Sequence, residues 1–577
     1  MKLLFILFLA LFSNSAFSQT QKNSDDNFIN LTNEIKSDQK KSNDVKNDKT
    51  IDKKSDNENK KIEPVMIGKL EMPSLGSIGV ETSLNKKIGL NLWGNFTAND
   101  AIKYLNLLPN KSSSRSYQRL LNEVYASKSE PPIGDPDEIS EFLKTRLVKL
   151  ALNGQTEYLI KIISQLPDSQ NWEKWQKWYV IHHFLIKDDI KACRQVSNKI
   201  KNYESLFWKK ANLLCLILQR NLSEASFIYD VMSSQNLLDK SFVKLIDKIL
   251  NEKQVEKFDF KNELVTPLNL ILLDITKHPI SFDMIKDFGF EYKVQLSNLI
   301  YLLPKARALL IDQVTTVKDI NRDLLIKIYQ DIKLDNFNKA ESLKNLNINP
   351  NGLSRATVWL NTLKISDSLE KAEFILESLL IENKHSNSKI ASDLYIPTLI
   401  SLKSNSLSQS QTQAINHIYN LNNPEKFVDS PFSQIVLDPK KNVWDEQFIL
   451  RHNAWNIVKF LNYIGMQSPD ITWESKLNFT SKNEKKLNNK FSLDISYDDF
   501  ILSKSISKNI KQKNYFKAIL LIGKLIGSEE LKFLNLTTLQ EIDMYLTDLD
   551  FLALRNEFRN EVLYKKFFYS KNLYNEF

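Results

Sequence analysis

The stretch that decides the fold runs from Lys191 to Ala225 and reads KACRQVSNKIKNYESLFWKKANLLCLILQRNLSEA. Apolar residues recur every three or four positions on both sides of the polar segment 202–205. This spacing predicts two amphipathic helices joined by a short turn. The stretch also holds both cysteines of the chain, Cys193 and Cys215. It therefore predicts a helical hairpin in which each helix carries one thiol.

The same hairpin pattern recurs at an offset of 33 residues, in three units between about 139 and 236. Aromatic residues share a position in the first helix, leucines share its end, and leucine or alanine recurs early in the second helix. These three columns hold Phe142, Trp175 and Trp208; Leu152, Leu185 and Leu218; and Leu159, Ala192 and Ala225. The polar turns also align, at Gly154-Gln155, Lys187-Asp188 and Arg220-Asn221. Repeated hairpins bury against their neighbours what one hairpin leaves exposed, so the columns predict stacked helix pairs.

A helix–turn–helix unit of about 33 residues resembles the tetratricopeptide (TPR) family. The glycine and tyrosine of that family's first helix are absent here. The resemblance implies an α-solenoid whose concave surface binds peptides or helices of other proteins. Weaker echoes of the repeat occur at 334–343, 366–375 and 511–520. The blocks 88–109 and 552–564 are also similar to a group of exported alphaproteobacterial helical proteins, and this similarity brings no functional residues.

The composition favours an all-α protein. Only 12 of the 577 residues are glycine, whereas glycine makes up about 7% of average proteins. Tight β-hairpins and phosphate-binding loops depend on glycine. The net charge of +9 comes from 78 basic and 69 acidic residues, without a run of five Lys or Arg. We therefore expect no nucleic-acid partner.

The first 18 residues have the layout of a secretory signal peptide. Lys2 precedes ten apolar residues, Leu3–Phe12, and small residues precede a cut between Ser18 and Gln19. The alternatives are a buried first helix and an uncleaved anchor. No later apolar run approaches the length of a membrane span. We expect export across the inner membrane, a periplasmic location and no membrane span.

The remaining chain divides into six predicted parts. Residues 19–65 are rich in Lys, Asp, Asn and Ser and predict a disordered polar tether, because they hold too few apolar side chains to form a core. Residues 66–98 include glycine-rich sequence and predict an extended cap or linker. The other parts are TPR-like repeats at 99–240, further helical hairpins of the array at 241–470, a loop or small hairpin at 471–500, and a C-terminal helical repeat and cap at 501–577.

The two cysteines lie at matching distances from the turn between their helices. The midpoint of Cys193 and Cys215 is residue 204, inside that turn. Residues equally far from the turn of an antiparallel hairpin lie level, which brings the thiols within disulfide range. An oxidising compartment then favours a disulfide. The alternatives are reduced core thiols and redox or metal chemistry, although only His182 and His183 lie nearby in sequence.

The sequence carries no motif of an enzyme or a cofactor site. Phosphate-binding loops, nucleophile elbows, zinc-protease helices and EF-hand loops are absent from it. We therefore expect no catalytic residue, no cofactor and no metal. Soluble lytic transglycosylases join a periplasmic helical superhelix to a lysozyme-like domain with a catalytic Glu-Ser pair. Here GMQSP (465–469) precedes WES (473–475), the reverse of that family's order, so Glu474 is interpreted as a solvated side chain.

These observations favour an exported, non-catalytic helical-repeat protein that acts as a protein-binding adaptor or scaffold in the cell envelope or near the wall. The alternative is a peptidoglycan-associated enzyme, or a degenerate relative of the lytic transglycosylases that retains only the superhelix. A third reading is a structural ring or surface layer. The expected partner is another protein.

Overall fold

The computed structural model describes residues 74–251, 265–402 and 497–567, apart from short gaps at 94, 113, 319, 335–337, 386–393, 396, 399–400, 528–530, 532–533 and 535. The expected signal peptide and tether, Glu474 and most of the expected loop or hairpin at 471–500 lie outside the described residues. Within the described ranges the chain has 21 α-helices and no β-strand, only isolated bridges. The all-α class is confirmed for these residues.

The helices are α1 Ser83–Ile88, α2 Ala98–Leu107, α3 Arg115–Ala126, α4 Pro136–Leu152, α5 Thr156–Ile163, α6 Glu173–Leu185, α7 Asp189–Lys199, α8 Leu206–Leu218, α9 Leu222–Ser234, α10 Lys240–Leu250, α11 Pro267–Ile275, α12 Phe290–Leu296, α13 Pro304–Val314, α14 Arg322–Gln330, α15 Lys339–Ile348, α16 Gly352–Lys364, α17 Ser368–His385, α18 Tyr497–Lys511, α19 Tyr515–Ile526, α20 Leu536–Asp548 and α21 Leu552–Phe567. Short 3₁₀ helices lie at Leu75–Ser77, Gln170–Trp172 and Phe282–Met284.

One turn geometry joins the helix pairs α4/α5, α6/α7 and α8/α9. Its central residue has a positive φ, 60° at Gly154, 64° at Lys187 and 60° at Arg220. In each turn the next residue donates its N–H to the carbonyl five residues earlier, in a bond of 2.9 Å. That pattern satisfies the last carbonyls of the first helix. The turns are 33 residues apart, the same spacing as the sequence repeat.

The repeat columns lie in the core of the molecule. The aromatic column is at most 4% exposed, and the column of Leu159, Ala192 and Ala225 is fully buried. Leu185 is fully buried, while Leu152 and Leu218 are partly buried and pack against the core. The echoes at 334–343 and 366–375 differ from each other, because Ala372 is buried and its aligned partner Ala340 is exposed. The echo at 511–520 has a turn with a φ of 58° at Lys513, and its Ala518 is fully buried.

Two helices after α10 contact the first helices of the repeat units, and the part of the expected array at 403–470 lies outside the described residues. Helix α11 packs against α6 and α8, and α12 packs against α4 and α6. The sequence of α11, PLNLILLDI, is apolar almost all round, and eight of its nine residues are buried. A helix of that kind is stable only when neighbours enclose it. The first helices of the three repeat units are therefore covered by later parts of the same chain.

The C-terminal helices close onto the N-terminal ones. Helix α19 packs against α2 and α3, and α21 packs against α3. Glu561 of α21 accepts hydrogen bonds from the backbone N–H of Arg115, at 2.8 Å, and from the hydroxyls of Ser114 and Ser116, at 2.8 and 3.0 Å. A carboxylate at this place stabilises the N-terminus of α3.

The segment expected as an extended cap at 66–98 is described from residue 74, and it is part of the core. It contains the short helix α1, and Trp93 is fully buried. The Trp93 ring meets Phe142 at 4.9 Å and Phe516 at 4.0 Å between ring centroids. The pocket for this tryptophan is thus built by residues distant in sequence, which local composition does not reveal.

A buried arginine ties this segment to the first repeat unit. Arg146 of α4 is fully buried, and its guanidinium donates to the carbonyls of Tyr125 at 2.8 Å, Ile78 at 3.0 Å and Ser127 at 2.7 Å. Burial lowers the pKa of Arg146. The hydrogen bonds to three backbone carbonyls compensate the desolvation of the guanidinium. The guanidinium in turn provides these buried carbonyls with a hydrogen-bond donor.

Candidate functional site

The two cysteines form a cross-link between α7 and α8. Their sulfur atoms are 2.11 Å apart and their Cα atoms 5.5 Å apart. Cys193 is 3% exposed and Cys215 is 4% exposed. A bonded and buried pair of this kind stabilises a hairpin and offers no accessible thiolate for chemistry.

The adjacent histidines near this hairpin are packing residues. His182 stacks on Trp178 at 5.4 Å between ring centroids, and His183 meets Tyr179 edge-on at 4.6 Å. Burial, together with the neighbouring His183, lowers the pKa of His182 to about 4. Burial also lowers the pKa of His183, although the carboxylate of Asp188, 3.5 Å from its Nδ1, has the opposite effect. Both rings therefore favour the neutral form. Nowhere in the described ranges do three His, Cys, Asp or Glu residues come close enough to hold a metal ion.

Two buried carboxylates were not recognised from the sequence. Glu291 of α12 is 1% exposed, and neither of its side-chain oxygens meets a hydrogen-bond donor in good geometry. Burial raises its pKa to about 7. Glu382 of α17 is 2% exposed, and its pKa is also raised to about 7 by burial, although the guanidinium of Arg355 lies 2.7 Å away. Both carboxyl groups therefore lie in the core of the described structure.

A groove between α18 and α20 is the best candidate for a ligand site. Its volume is about 640 Å³, within the range of about 300–1,000 Å³ that ligand-binding clefts occupy. The α18 wall carries a row of three lysines, one helical turn apart, and the α20 wall carries a glutamate, a methionine and a tyrosine. The lining residues are Ser503, Lys504, Ser507, Lys508, Lys511, Gln512, Glu541, Met544 and Tyr545.

The two walls of the groove are fixed by buried contacts. The Tyr545 hydroxyl donates to the Ser503 carbonyl at 3.2 Å, and the Ser503 hydroxyl donates to Glu541. Behind α20, Arg559 of α21 holds Asp543 through two hydrogen bonds of 2.5 and 2.7 Å. These bonds set the spacing of α18, α20 and α21, so the groove is preformed.

The groove is cationic along one wall and apolar at one point of the other. Lys504, Lys508 and Lys511 are exposed, and Glu541 is the acidic residue among the lining side chains. Met544 is 42% exposed, whereas the neighbouring Tyr545 is 2% exposed. The arrangement therefore presents positive charges beside an apolar contact, which suits an anionic and partly apolar ligand.

The lysine row is visible in the sequence as positions i, i+4 and i+7 of a helix, but the opposite wall is not.

Comparison of the chain with protein-family models, curated proteins and solved structures found no match. None of the helices in the described ranges is long and apolar enough to cross a membrane.

Proposed function

We propose that this protein is an exported, non-catalytic adaptor that binds a segment of another protein in the groove between α18 and α20. The observation that carries the proposal is the groove itself, a preformed cleft of about 640 Å³ with Lys504, Lys508 and Lys511 along one wall. Clefts between two helices commonly receive a third helix or a peptide.

We also propose that α4–α9 form a short TPR-like stack that serves as the frame of the molecule. The 33-residue spacing of the positive-φ turns and the buried repeat columns support this reading. The inner face of such a stack would be the usual place for a ligand, but α11 and α12 pack against the first helices of the three units. Binding is therefore assigned to the C-terminal groove and not to a concave face of the repeats.

The periplasm remains the proposed location. The signal-peptide layout of residues 1–18 and the paired, buried cysteines both suit an oxidising compartment outside the cytoplasm. The expected place of action is the cell envelope, with association to wall components through the bound protein.

Affinity capture from an envelope extract tests the adaptor function. The full-length chain is compared with K504E/K508E/K511E, which reverses the groove charge, and with K209E/K244E/K327E, which reverses three exposed lysines on α8, α10 and α14. We expect a partner that binds the wild type and the control variant and is lost from the groove variant. Partners that bind all three forms equally, or no partner at all, would contradict the assignment.

A peptidoglycan-release assay distinguishes the enzymatic alternative. The purified chain is incubated with isolated wall polymer, and the soluble fragments are measured. A non-catalytic adaptor releases none above the level of a buffer control. Release by the wild type would replace the adaptor proposal with a wall-degrading enzyme.

A further inference from the structure

We infer that the segment bound in the groove is an acidic amphipathic helix, which lies along α18 and α20 and places carboxylates opposite the three lysines. This inference rests on the proposed function and specifies the chemistry of the partner. It is carried by the spacing of the charges, the apolar contact beside them and the size of the groove.

The charges form a line along the groove. Lys504, Lys508 and Lys511 follow one face of α18. With a rise of about 1.5 Å per residue, their Cα atoms are separated by about 6 and 4.5 Å along the helix axis. Carboxylates at positions i, i+4 and i+7 of a second helix have the same spacing, so each lysine meets one acidic side chain.

This linear arrangement fits a phosphate group less well. Phosphate sites typically converge several donors on one point, through arginine forks or the N-H groups of a helix N-terminus. The lysines here are spread over about 10 Å of α18, and two of them, Lys508 and Lys511, lie in the last turn of that helix.

The opposite wall supplies the apolar contact that an amphipathic helix requires. Met544 is 42% exposed beside the buried ring of Tyr545. Methionine is flexible and polarizable, and it adapts to apolar side chains of different shapes. A helix with glutamate on one edge and leucine on the adjacent face would therefore satisfy both walls at once.

Fluorescence anisotropy with the full-length chain tests this inference. The probe is a labelled helical peptide with glutamates at i, i+4 and i+7 beside a leucine face. The control peptide carries lysine in place of each glutamate. We expect the acidic peptide to bind and the basic one not to bind. We also expect affinity for the acidic peptide to fall as sodium chloride rises from about 50 to about 300 mM, because exposed ion pairs are screened by salt.

Two variants locate the binding. K504Q/K508Q/K511Q should weaken binding of the acidic peptide about tenfold, the effect of losing three exposed ion pairs. The matched variant K209Q/K244Q/K327Q should leave it unchanged. Thermal melts show whether each variant is folded, and the single variant K504Q, outside the last turn of α18, separates ligand binding from stabilisation of the helix terminus.

Several outcomes would overturn the inference. Equal binding of both peptides, or equal binding by the groove and control variants, would show that the groove does not recognise acidic helices. Binding of phosphatidylglycerol vesicles or inorganic phosphate without the acidic peptide would assign the lysines to another anion. If the acidic peptide fails but envelope capture still depends on the groove lysines, the adaptor function stands and only the partner chemistry is wrong. If both fail, both proposals fall.

Discussion

Replacement of Glu291 by glutamine should make the protein more stable at neutral pH and remove part of its pH dependence. The carboxyl group is 1% exposed and has no hydrogen-bond donor in good geometry. Burial raises its pKa from the usual 4.5 to about 7, and the opposing effects of its own backbone N–H, Lys174 and Lys293 are smaller. Glutamine has a similar shape and no charge to desolvate, so it mimics the protonated side chain.

The direction and size of the change in stability follow from the pKa of Glu291 in the unfolded and the folded chain. Below about pH 4.5 the side chain is protonated in both the folded and the unfolded chain, and it has no effect of this kind. Between about pH 4.5 and 7 the unfolded chain loses its proton while the folded chain keeps it, so folding stability falls as pH rises. One pKa unit corresponds to about 1.4 kcal/mol, and the shift from 4.5 to about 7 therefore gives at most about 3.5 kcal/mol.

Urea denaturation of wild type and E291Q between pH 4 and 8 measures this effect. The difference in free energy of unfolding should be near its minimum at pH 4, should grow in favour of E291Q up to about pH 7, and should then level off. An exposed glutamate, replaced in E204Q, is the control and should give a flat difference. A flat difference for E291Q, or one that is largest at low pH, would show that Glu291 has a partner that stabilises its charge.

Three further perturbations test the framework. Cys193 and Cys215 close a loop with a sequence separation of 22, so C193A/C215A should lower the free energy of unfolding by about 3 kcal/mol. The melting temperature of this variant should no longer respond to dithiothreitol. An unchanged melting temperature would exclude a stabilising cross-link. Replacement of Arg146 by methionine should cost about 3 kcal/mol in urea denaturation, because three buried carbonyls lose their donor, whereas R194M on the exposed face of α7 should change little. E561A should cost about 1 to 2 kcal/mol, because the N–H of Arg115 and the hydroxyls of Ser114 and Ser116 lose their acceptor at the start of α3. Hydrogen exchange should then accelerate first at the start of α3, and uniform exchange would refute this role.

The repeat and its turns were accessible to sequence reasoning because they are local. A period of 33 residues fixes which side chains share a face, and the columns with Trp175 and Ala192 follow from helical spacing alone. Cys193 and Cys215 lie opposite each other in the hairpin because they are equally far from its turn. Each of these arguments involves residues within a single hairpin or its neighbour.

The remaining structure depends on contacts between residues distant in sequence. The apolar character of α11 shows that it must be enclosed, but not that α6 and α8 enclose it. Trp93 needs Phe516, and the start of α3 needs Glu561. Glu291 is the second residue of the short helix α12, where an acidic residue is ordinarily exposed and favourable. The packing of α12 against α4, α6 and α13 buries it.

For the same reason, only one wall of the groove can be predicted from the sequence. The row Lys504, Lys508 and Lys511 is apparent in the sequence of α18, where it is typical of a solvated helix face. The wall with Met544 and Tyr545 comes from α20, and its position depends on the pairing of Asp543 with Arg559. The groove therefore depends on the packing of α18, α20 and α21, which the sequence of α18 alone does not predict.

Site-specific photo-crosslinking tests directly whether the groove between α18 and α20 binds another protein. A photoreactive phenylalanine analogue replaces Met544 in one form of the chain and Lys209 in another, and both are irradiated in an envelope extract. We expect a discrete protein adduct from position 544, which disappears in K504E/K508E/K511E and which position 209 does not form. An adduct that survives the charge reversal, or the absence of any adduct at position 544, would contradict this expectation.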